Sequence, residues 1–304
     1  MSRVLITGGT GFIGKNLVNR LVADGQHDIC LLVREPYGMG TPLPTPLNNL
    51  REKIDLFFAD LRTANLVNRA VRDAAPDIVV HLAAVGSTDP FLSPHKAVRH
   101  NVDGMINLVE ACFEKNYTTK KMIVARTPGE LTKMNPYAAS KLAGWHFCEM
   151  YARTRSFPIF GGMIFQAFGP WQPKRAIIPA AMSAALKHED FPMTAGTQKR
   201  DWIHVDDVVS GFEAAMDANK LAPGDTIELG TGNCYSVAKM VETIYDISES
   251  GGKPLIGALP SRPGEAPLQV ANVDESEALT GWRPKLSLED GLRQMQMTLE
   301  AELA

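Results

Sequence analysis

The 304-residue chain carries little net charge, few cysteines and no long apolar run, and each shortage excludes a class of function. Its 31 Lys and Arg against 34 Asp and Glu leave a net charge of −3. The basic residues are scattered apart from short groups such as Lys120-Lys121, read as solvent-facing, so there is no electrostatic footprint for nucleic acid. No apolar stretch approaches the roughly 18 residues of a membrane span. The first residues run straight into a glycine turn without a secretory signal pattern, so the expectation is a cytoplasmic protein with no membrane partner. Cys30, Cys112, Cys148 and Cys234 are far apart and form no C-x-x-C pair. That spacing supports neither a zinc site nor a disulfide framework, and buried free thiols are the plainer reading. His146 and Glu149 stand three apart on a helical stretch, but no third ligand is near in sequence, so no metal is expected.

What is present begins with Thr7-Gly8-Gly9-Thr10-Gly11-Phe12-Ile13-Gly14. It follows the apolar run Val4-Leu5-Ile6 and opens an amphipathic stretch with Leu17, Val18, Leu21 and Val22. This reads as strand, glycine turn, helix. Gly9, Gly11 and Gly14 keep the G-x-G-x-x-G spacing, in which the backbone approaches a pyrophosphate and the helix N-terminus presents unpaired N–H groups to it. Strand-like runs at 4–6, 29–33, 54–58, 78–82 and 122–124 alternate with helical patterns, which predicts an α/β fold with a doubly wound parallel sheet. Residues 36–46 carry four prolines, too many for a helix or central strand, and read as an irregular excursion near the adenosine end of a cofactor. Beyond about residue 165 the elements shorten. The expected division is a dinucleotide-binding domain over 1–165 and, over 166–304, mainly a smaller substrate-binding lobe at the sheet's carboxyl edge, with the chain returning to the main sheet.

Asn135, Pro136, Tyr137 and Lys141 form the second constellation. Asn135 is a candidate cap, Pro136 suits a first helical turn, and Tyr137 and Lys141 are four apart on one face. A phenol ionises near pH 10, so work near neutrality calls for a neighbouring positive charge, which Lys141 supplies at the right spacing.

Taken in order, these segments resemble the extended short-chain dehydrogenase/reductases of the nucleotide-sugar epimerase, dehydratase and reductase group. The likeness also runs through Asp60-Leu61-Arg62, His81-Leu82-Ala83-Ala84, Asn101-Val102-Asp103-Gly104, Gly169-Pro170, the segment Arg200-Asp201-Trp202-Ile203-His204-Val205-Asp206-Asp207, and Arg262-Pro263-Gly264. It implies a Rossmann-type sheet in which Tyr137 exchanges a proton with the sugar oxygen, Lys141 also holds the nicotinamide ribose, and Thr127 hydrogen-bonds the same oxygen. Gly8, Gly9, Gly11, Phe12, Ile13 and Gly14 are the implied phosphate turn. Asp60 and Leu61 meet the adenine, and Leu82, Ala83 and Ala84 pack against the cofactor. Asn101 belongs to the same cofactor-side set, although its own amide, like the His81 ring, reads more as structural. Arg200 and Arg262 are implied to grip the diphosphate of the substrate, and Gln166 stands where relatives place an Asn. Relatives pair through the helix bearing the Tyr, which implies a homodimer.

Departures narrow the reading. Arg126-Thr127-Pro128-Gly129-Glu130 leads to Tyr137 only ten positions after Thr127, a shortened loop, and Pro128 and Gly129 replace the Asp and Glu of 4,6-dehydratases. Met163 replaces an Arg that often opens the Gln166 motif. At the end of the second strand Arg34 favours the 2′-phosphate of NADP, with Glu35 keeping NAD as the alternative. The resulting expectation is an NADP-preferring oxidoreductase of a nucleotide-linked sugar, first a 4-ketoreductase, with a 4-epimerase holding NAD as the alternative. A dinucleotide sensor or a small-carbonyl reductase is less favoured.

Overall fold

The computed structural model describes residues 1–34, 37, 40–87, 89, 91–116, 118–260 and 265–303. The chain divides into two compact units, residues 1–163 with 212–227, and residues 164–211 with 228–304. A seven-stranded sheet is formed by β1 (Ser2–Thr7), β2 (His27–Val33), β3 (Asp55–Phe58), β4 (Ile78–His81), β5 (Lys121–Arg126), β6 (Ile159–Ile164) and the edge strand β7 (Thr226–Leu229), of which β1 to β5 lie wholly within the first unit. The sheet order is β3-β2-β1-β4-β5-β6-β7, and the pairs from β3 through β6 are parallel. This is the doubly wound arrangement that the alternation of patterns predicts. Its strand order reverses between β1 and β4, where Thr7 is in register with His81. A parallel sheet covered on both faces buries every side chain of its central strands, which is why Val4, Leu5 and Ile6 are all inaccessible.

Leu5, Cys30, Leu32, Val79, Met122 and Val124 project to one face of the sheet. There they meet α2 (Ala64–Ala74), α3 (Asp103–Glu110) and α5 (Pro136–Arg155) through Val67, Val71, Leu108, Trp145 and Cys148. α1 (Phe12–Asp24) follows β1, and the short α4 (Gly129–Thr132) lies between β5 and α5. Of the proline-rich excursion, Pro36, Gly38 and Met39 lie outside the described residues, as does Glu35. It ends in a 3-10 helix, Leu47–Lys53, that buries Leu47.

Lys121 departs from the solvent-facing reading. Its ammonium donates to the carbonyls of Ala215 (3.1 Å), Met216 (2.7 Å) and Ala218 (2.7 Å), capping the C-terminus of the helix Val205–Asp217, where a positive charge complements the helix dipole. Lys120 does reach solvent and pairs with Asp77 at 2.8 Å. All four cysteines are free thiols. Cys30, Cys112 and Cys148 are buried, whereas Cys234 is half-buried and donates to the Gln269 carbonyl. His146 Nδ1 meets Glu149 at 2.8 Å on the exposed side of α5.

The second unit carries strands Cys234–Ser236, Lys199–His204 and Leu268–Gln269, with Gln166–Phe168 also paired to Lys199–His204. Its core gathers Phe168, Met182, Trp202, Met240, Ile244 and Leu292. Two buried carboxylates organise its loops. Asp201 accepts the backbone N–H groups of Thr231, Gly232 and Ala271, and Asp207 accepts those of Lys285 and Leu286. Among the described residues no helix is long and apolar enough to cross a membrane.

Candidate active site

The glycine turn is shaped by what has no room for a side chain. Gly8 has φ +71°, and a Cβ on it would stand 2.6 Å from the Ala83 nitrogen at the end of β4. A Cβ on Gly14 would fall 2.2 Å from the Gly8 carbonyl oxygen, so α1 starts against the turn only because both are glycine. At Gly11 a Cβ would meet only the Gly8 oxygen, at 3.2 Å, and Gly9 packs on Leu31. α1 has no acidic residue in its first turn and no side-chain cap, which leaves its leading N–H groups to an anion.

A cleft of about 340 Å³ opens over this turn. Of the residues expected at the cofactor, Gly8, Gly11, Arg34, Asp60, Leu61, Leu82, Ala83 and Ala84 line it, together with Tyr37 and His100, which the sequence reading did not single out. Phe12 and Ile13 lie half-buried in the first turn of α1. The missing Cβ atoms, the uncapped helix and the cleft at the strand-order reversal fit the adenosine and pyrophosphate parts of a dinucleotide.

Asp60 accepts Arg62 Nε at 2.9 Å and Nη2 at 2.6 Å. These bonds, with a smaller contribution from Arg34, hold its carboxyl down at about 2. His100 is pulled below the ordinary imidazole range by burial and by Arg62. Below the turn, Thr7 Oγ1 lies 2.7 Å from His81 Nδ1 and accepts the Ala83 N–H at 3.3 Å. Burial, with the charge of Lys141 added, pushes His81 down to about 3, so this ring is a neutral tether between β1 and β4.

The second cluster sits where β5 ends. Asn135 accepts the Ala138 N–H at 2.8 Å and Pro136 occupies the first turn, so α5 starts as the sequence predicts, with Tyr137 half-buried and Lys141 buried. Thr127 follows β5 directly, and its Oγ1 accepts the Gly129 N–H at 3.3 Å. α4 is held close to α5, since a Cβ on Gly129 would lie 3.5 Å from both the Ala138 methyl and Thr127 Oγ1.

The electrostatics here differ from the expectation that Lys141 lowers the phenol. Burial, with the negative charge of Glu130 added, pushes Tyr137 up to about 12. Lys141 is itself shifted down by burial, and Glu130 works against that shift. The two charged residues near Thr127, Arg126 and Glu130, which the sequence reading did not single out, pair at 2.8 Å. Asn101 uses its amide within the protein: Nδ2 donates to Ser140 Oγ (2.9 Å) and the Val85 carbonyl (3.1 Å), and Oδ1 accepts the Val85 N–H (2.9 Å).

A profile of the NAD dependent epimerase/dehydratase family matches residues 4–230, which takes in the glycine turn, the cleft and the Thr127, Tyr137 and Lys141 cluster. The chain belongs to that family. It is 28% identical to an uncharacterized UDP-glucose epimerase of Bacillus subtilis over 95% of each chain. Among solved structures it resembles a UDP-glucose 4-epimerase from Thermotoga maritima, with a TM-score of 0.86, 22% identity and coverage of 99% of this chain and 100% of the other. It also resembles a UDP-glucuronic acid 4-epimerase from Bacillus cereus in complex with UDP-glucuronic acid and NAD, with a TM-score of 0.85, 23% identity and 99% of each chain covered.

The family profile also covers the second-unit residues expected at the substrate, apart from Arg262. Gln166 is exposed and opens a strand in register with Trp202, two residues from Arg200. Arg200 donates to the Lys199 and Ala266 carbonyls at 2.9 and 2.8 Å and lies 3.9 Å from Glu265. Burial lowers its pKa. Arg262 lies outside the described residues.

Proposed function

We propose that this member of the epimerase/dehydratase family is a nicotinamide-dinucleotide oxidoreductase of a nucleoside-diphosphate sugar, reducing a 4-ketone with a preference for NADPH. The observation that carries the reading is the Thr127, Tyr137 and Lys141 cluster at the carboxyl end of β5, in the same unit as the cleft that fits the adenosine and pyrophosphate parts of a dinucleotide. The residues lining that cleft would hold a reduced dinucleotide, which when bound would supply the hydride for the sugar carbon. Tyr137 gives its proton to the carbonyl oxygen as charge develops there. A phenol raised to about 12 keeps that proton at neutral pH, which suits a donor. Thr127 already accepts the Gly129 N–H, which leaves its hydroxyl hydrogen free for the same oxygen. Lys141, buried one turn along α5, keeps the role of holding the nicotinamide ribose that the family resemblance implies. Arg200 and Arg262 are the cations assigned to the diphosphate, for which guanidinium geometry is suited.

Arg34 in the cleft supports NADP, because a guanidinium there meets a 2′-phosphate by charge. Elimination of the 4,6 type is not supported, since Pro128 and Gly129 follow Thr127 and the nearby acid, Glu130, is fully enclosed. A second reading, a 4-epimerase retaining NAD, is favoured by the relatives named as epimerases. A homodimer through α5, where Phe147 is exposed, accompanies either reading.

Mass analysis of dinucleotide released from freshly purified protein separates the two. Protein free of dinucleotide that binds NADPH and oxidises it in the presence of a nucleoside-diphosphate 4-keto sugar supports the reductase, whereas retained NAD supports the epimerase. Calorimetric titration with UDP, dTDP, GDP and CDP tests the substrate class. Binding of none of the four removes the nucleotide-sugar assignment.

A further inference from the structure

Glu130 is fully enclosed, and among the described residues its oxygens receive N–H donors. Oε2 accepts Arg126 Nε at 3.0 Å and Nη2 at 2.8 Å, and Oε1 accepts the Thr127 backbone N–H at 3.2 Å. The Arg126 side chain is only 12% exposed. Its remaining arm donates to Thr226 Oγ1 at 2.9 Å, and its guanidinium carbon stands 4.3 Å from the centre of the Trp145 ring. Trp145 lies on α5 one turn beyond Lys141 and two beyond Tyr137. Burying two charges is costly, and two apolar side chains would fill such a space without that cost, so a purely packing role does not account for the pair.

We propose that Arg126 and Glu130 are a positioning pair for the reacting groups: Glu130 fixes the backbone of Thr127 and presents a negative charge to Tyr137 and Lys141, while Arg126 ties that carboxylate to the helix carrying both. The inference rests on the reading of Tyr137 as proton donor. Among the described residues, Glu130 from α4 acts electrostatically on both Tyr137 and Lys141, and Arg126 from β5, Cys148 from α5 and His81 from β4 are coupled to Lys141. His81 is neutral, and burial pushes the Cys148 thiol up to about 12, so it is neutral too. Glu130 is therefore the one negative group of this set, and Arg126 and Lys141 are its positive counterparts. Its charge opposes loss of the phenol proton before a substrate arrives, and its bond to the Thr127 N–H holds the hydroxyl that shares the substrate oxygen.

The test is a ¹³C NMR titration of the full chain labelled at tyrosine Cζ, with the Tyr137 resonance identified by its loss in Tyr137→Phe. Wild type is expected to keep this phenol protonated through the alkaline range in which it stays folded. Glu130→Gln, which keeps shape and removes charge, is expected to lower the midpoint by up to about one pH unit, since burial is the larger cause of the raised value and the charge of Glu130 the smaller. The alkaline limb of its kcat profile should move the same way, and kcat should fall at least about tenfold, within the range that proton-transfer groups contribute. The double variant Arg126→Met/Glu130→Leu restores an uncharged, packed pair, so it answers the question if the single variant does not fold. It too should show a lowered midpoint and low turnover. An unchanged Tyr137 midpoint in the folded variants, or turnover restored in the double variant, overturns the proposal. The NMR titration needs no substrate, so it stands or falls independently of whether a 4-keto sugar proves to be reduced.

Discussion

Asn101 donates to Ser140 Oγ at 2.9 Å, and Ser140 Oγ in turn donates to the Tyr137 carbonyl at 2.8 Å, so the helix of the reacting pair is tethered to the loop after β4. The same amide brackets Val85 through both its N–H and its carbonyl. One side chain thereby sets the distance between the wall of the cleft and the start of α5.

Replacing Asn101 by Ala leaves the Val85 groups and Ser140 without that partner. A net loss of about 1 to 3 kcal/mol is expected, the usual cost of polar groups stranded in a half-buried setting. Urea unfolding of wild type and variant measures it. A midpoint unchanged within error would show that water takes over the amide's role.

His81 makes stability depend on acid. Its folded pKa of about 3 lies below the unfolded value near 6.5, so the unfolded chain takes up a proton that the folded chain refuses. The native state is therefore unaffected by this group above about pH 6.5 and loses stability as the pH falls toward 3, by about 3 kcal/mol at pH 4. His81→Asn keeps a polar partner for Thr7 and removes the titration. The difference in unfolding free energy between pH 7 and pH 4 should be larger in wild type than in this variant, and equal differences would contradict the assignment.

Tyr137→Phe removes one oxygen from a ring that remains packed. Turnover is expected to drop by about 10² to 10⁴ while dinucleotide affinity stays within a few-fold. Steady-state kinetics and calorimetry on the same preparation check both halves. Turnover within about twofold of wild type would take Tyr137 out of the chemistry.

Arg34→Asp places a carboxylate where a 2′-phosphate would sit, adding repulsion to one cofactor and an acceptor for the ribose hydroxyl of the other. The ratio of NADP to NAD affinity should fall by about tenfold or more, a difference of roughly 1.4 kcal/mol. Dissociation constants for both dinucleotides decide it. An unchanged ratio would mean that Arg34 does not meet the adenosine ribose.

Much of the fold was legible residue by residue. The runs at 4–6 and 29–33 are parts of β1 and β2, and the Asn135-Pro136 start of α5 is as its capping chemistry dictates. The neighbourhood of the candidate site was far less so. Arg126 and Glu130 entered only as the ends of the segment before a shortened loop, yet Glu130 is fully enclosed and bonded to the Thr127 N–H. Lys121 looked like a surface lysine, yet it caps a helix some 95 residues away in sequence. Asp201 and Asp207 sat in a matching segment with no hint that each would gather loop N–H groups from distant turns.

The sequence by itself determined the parallel sheet, the glycine turn and the placing of Tyr137 and Lys141 on one helical face, because strand alternation, turn sterics and helical spacing act between neighbours along the chain. Only the tertiary structure decided the charge state around them. Desolvation and Coulomb interactions depend on distance in space: burial raises Tyr137 and lowers Lys141, and the charge of Lys141 bears on His81, 60 residues away along the chain.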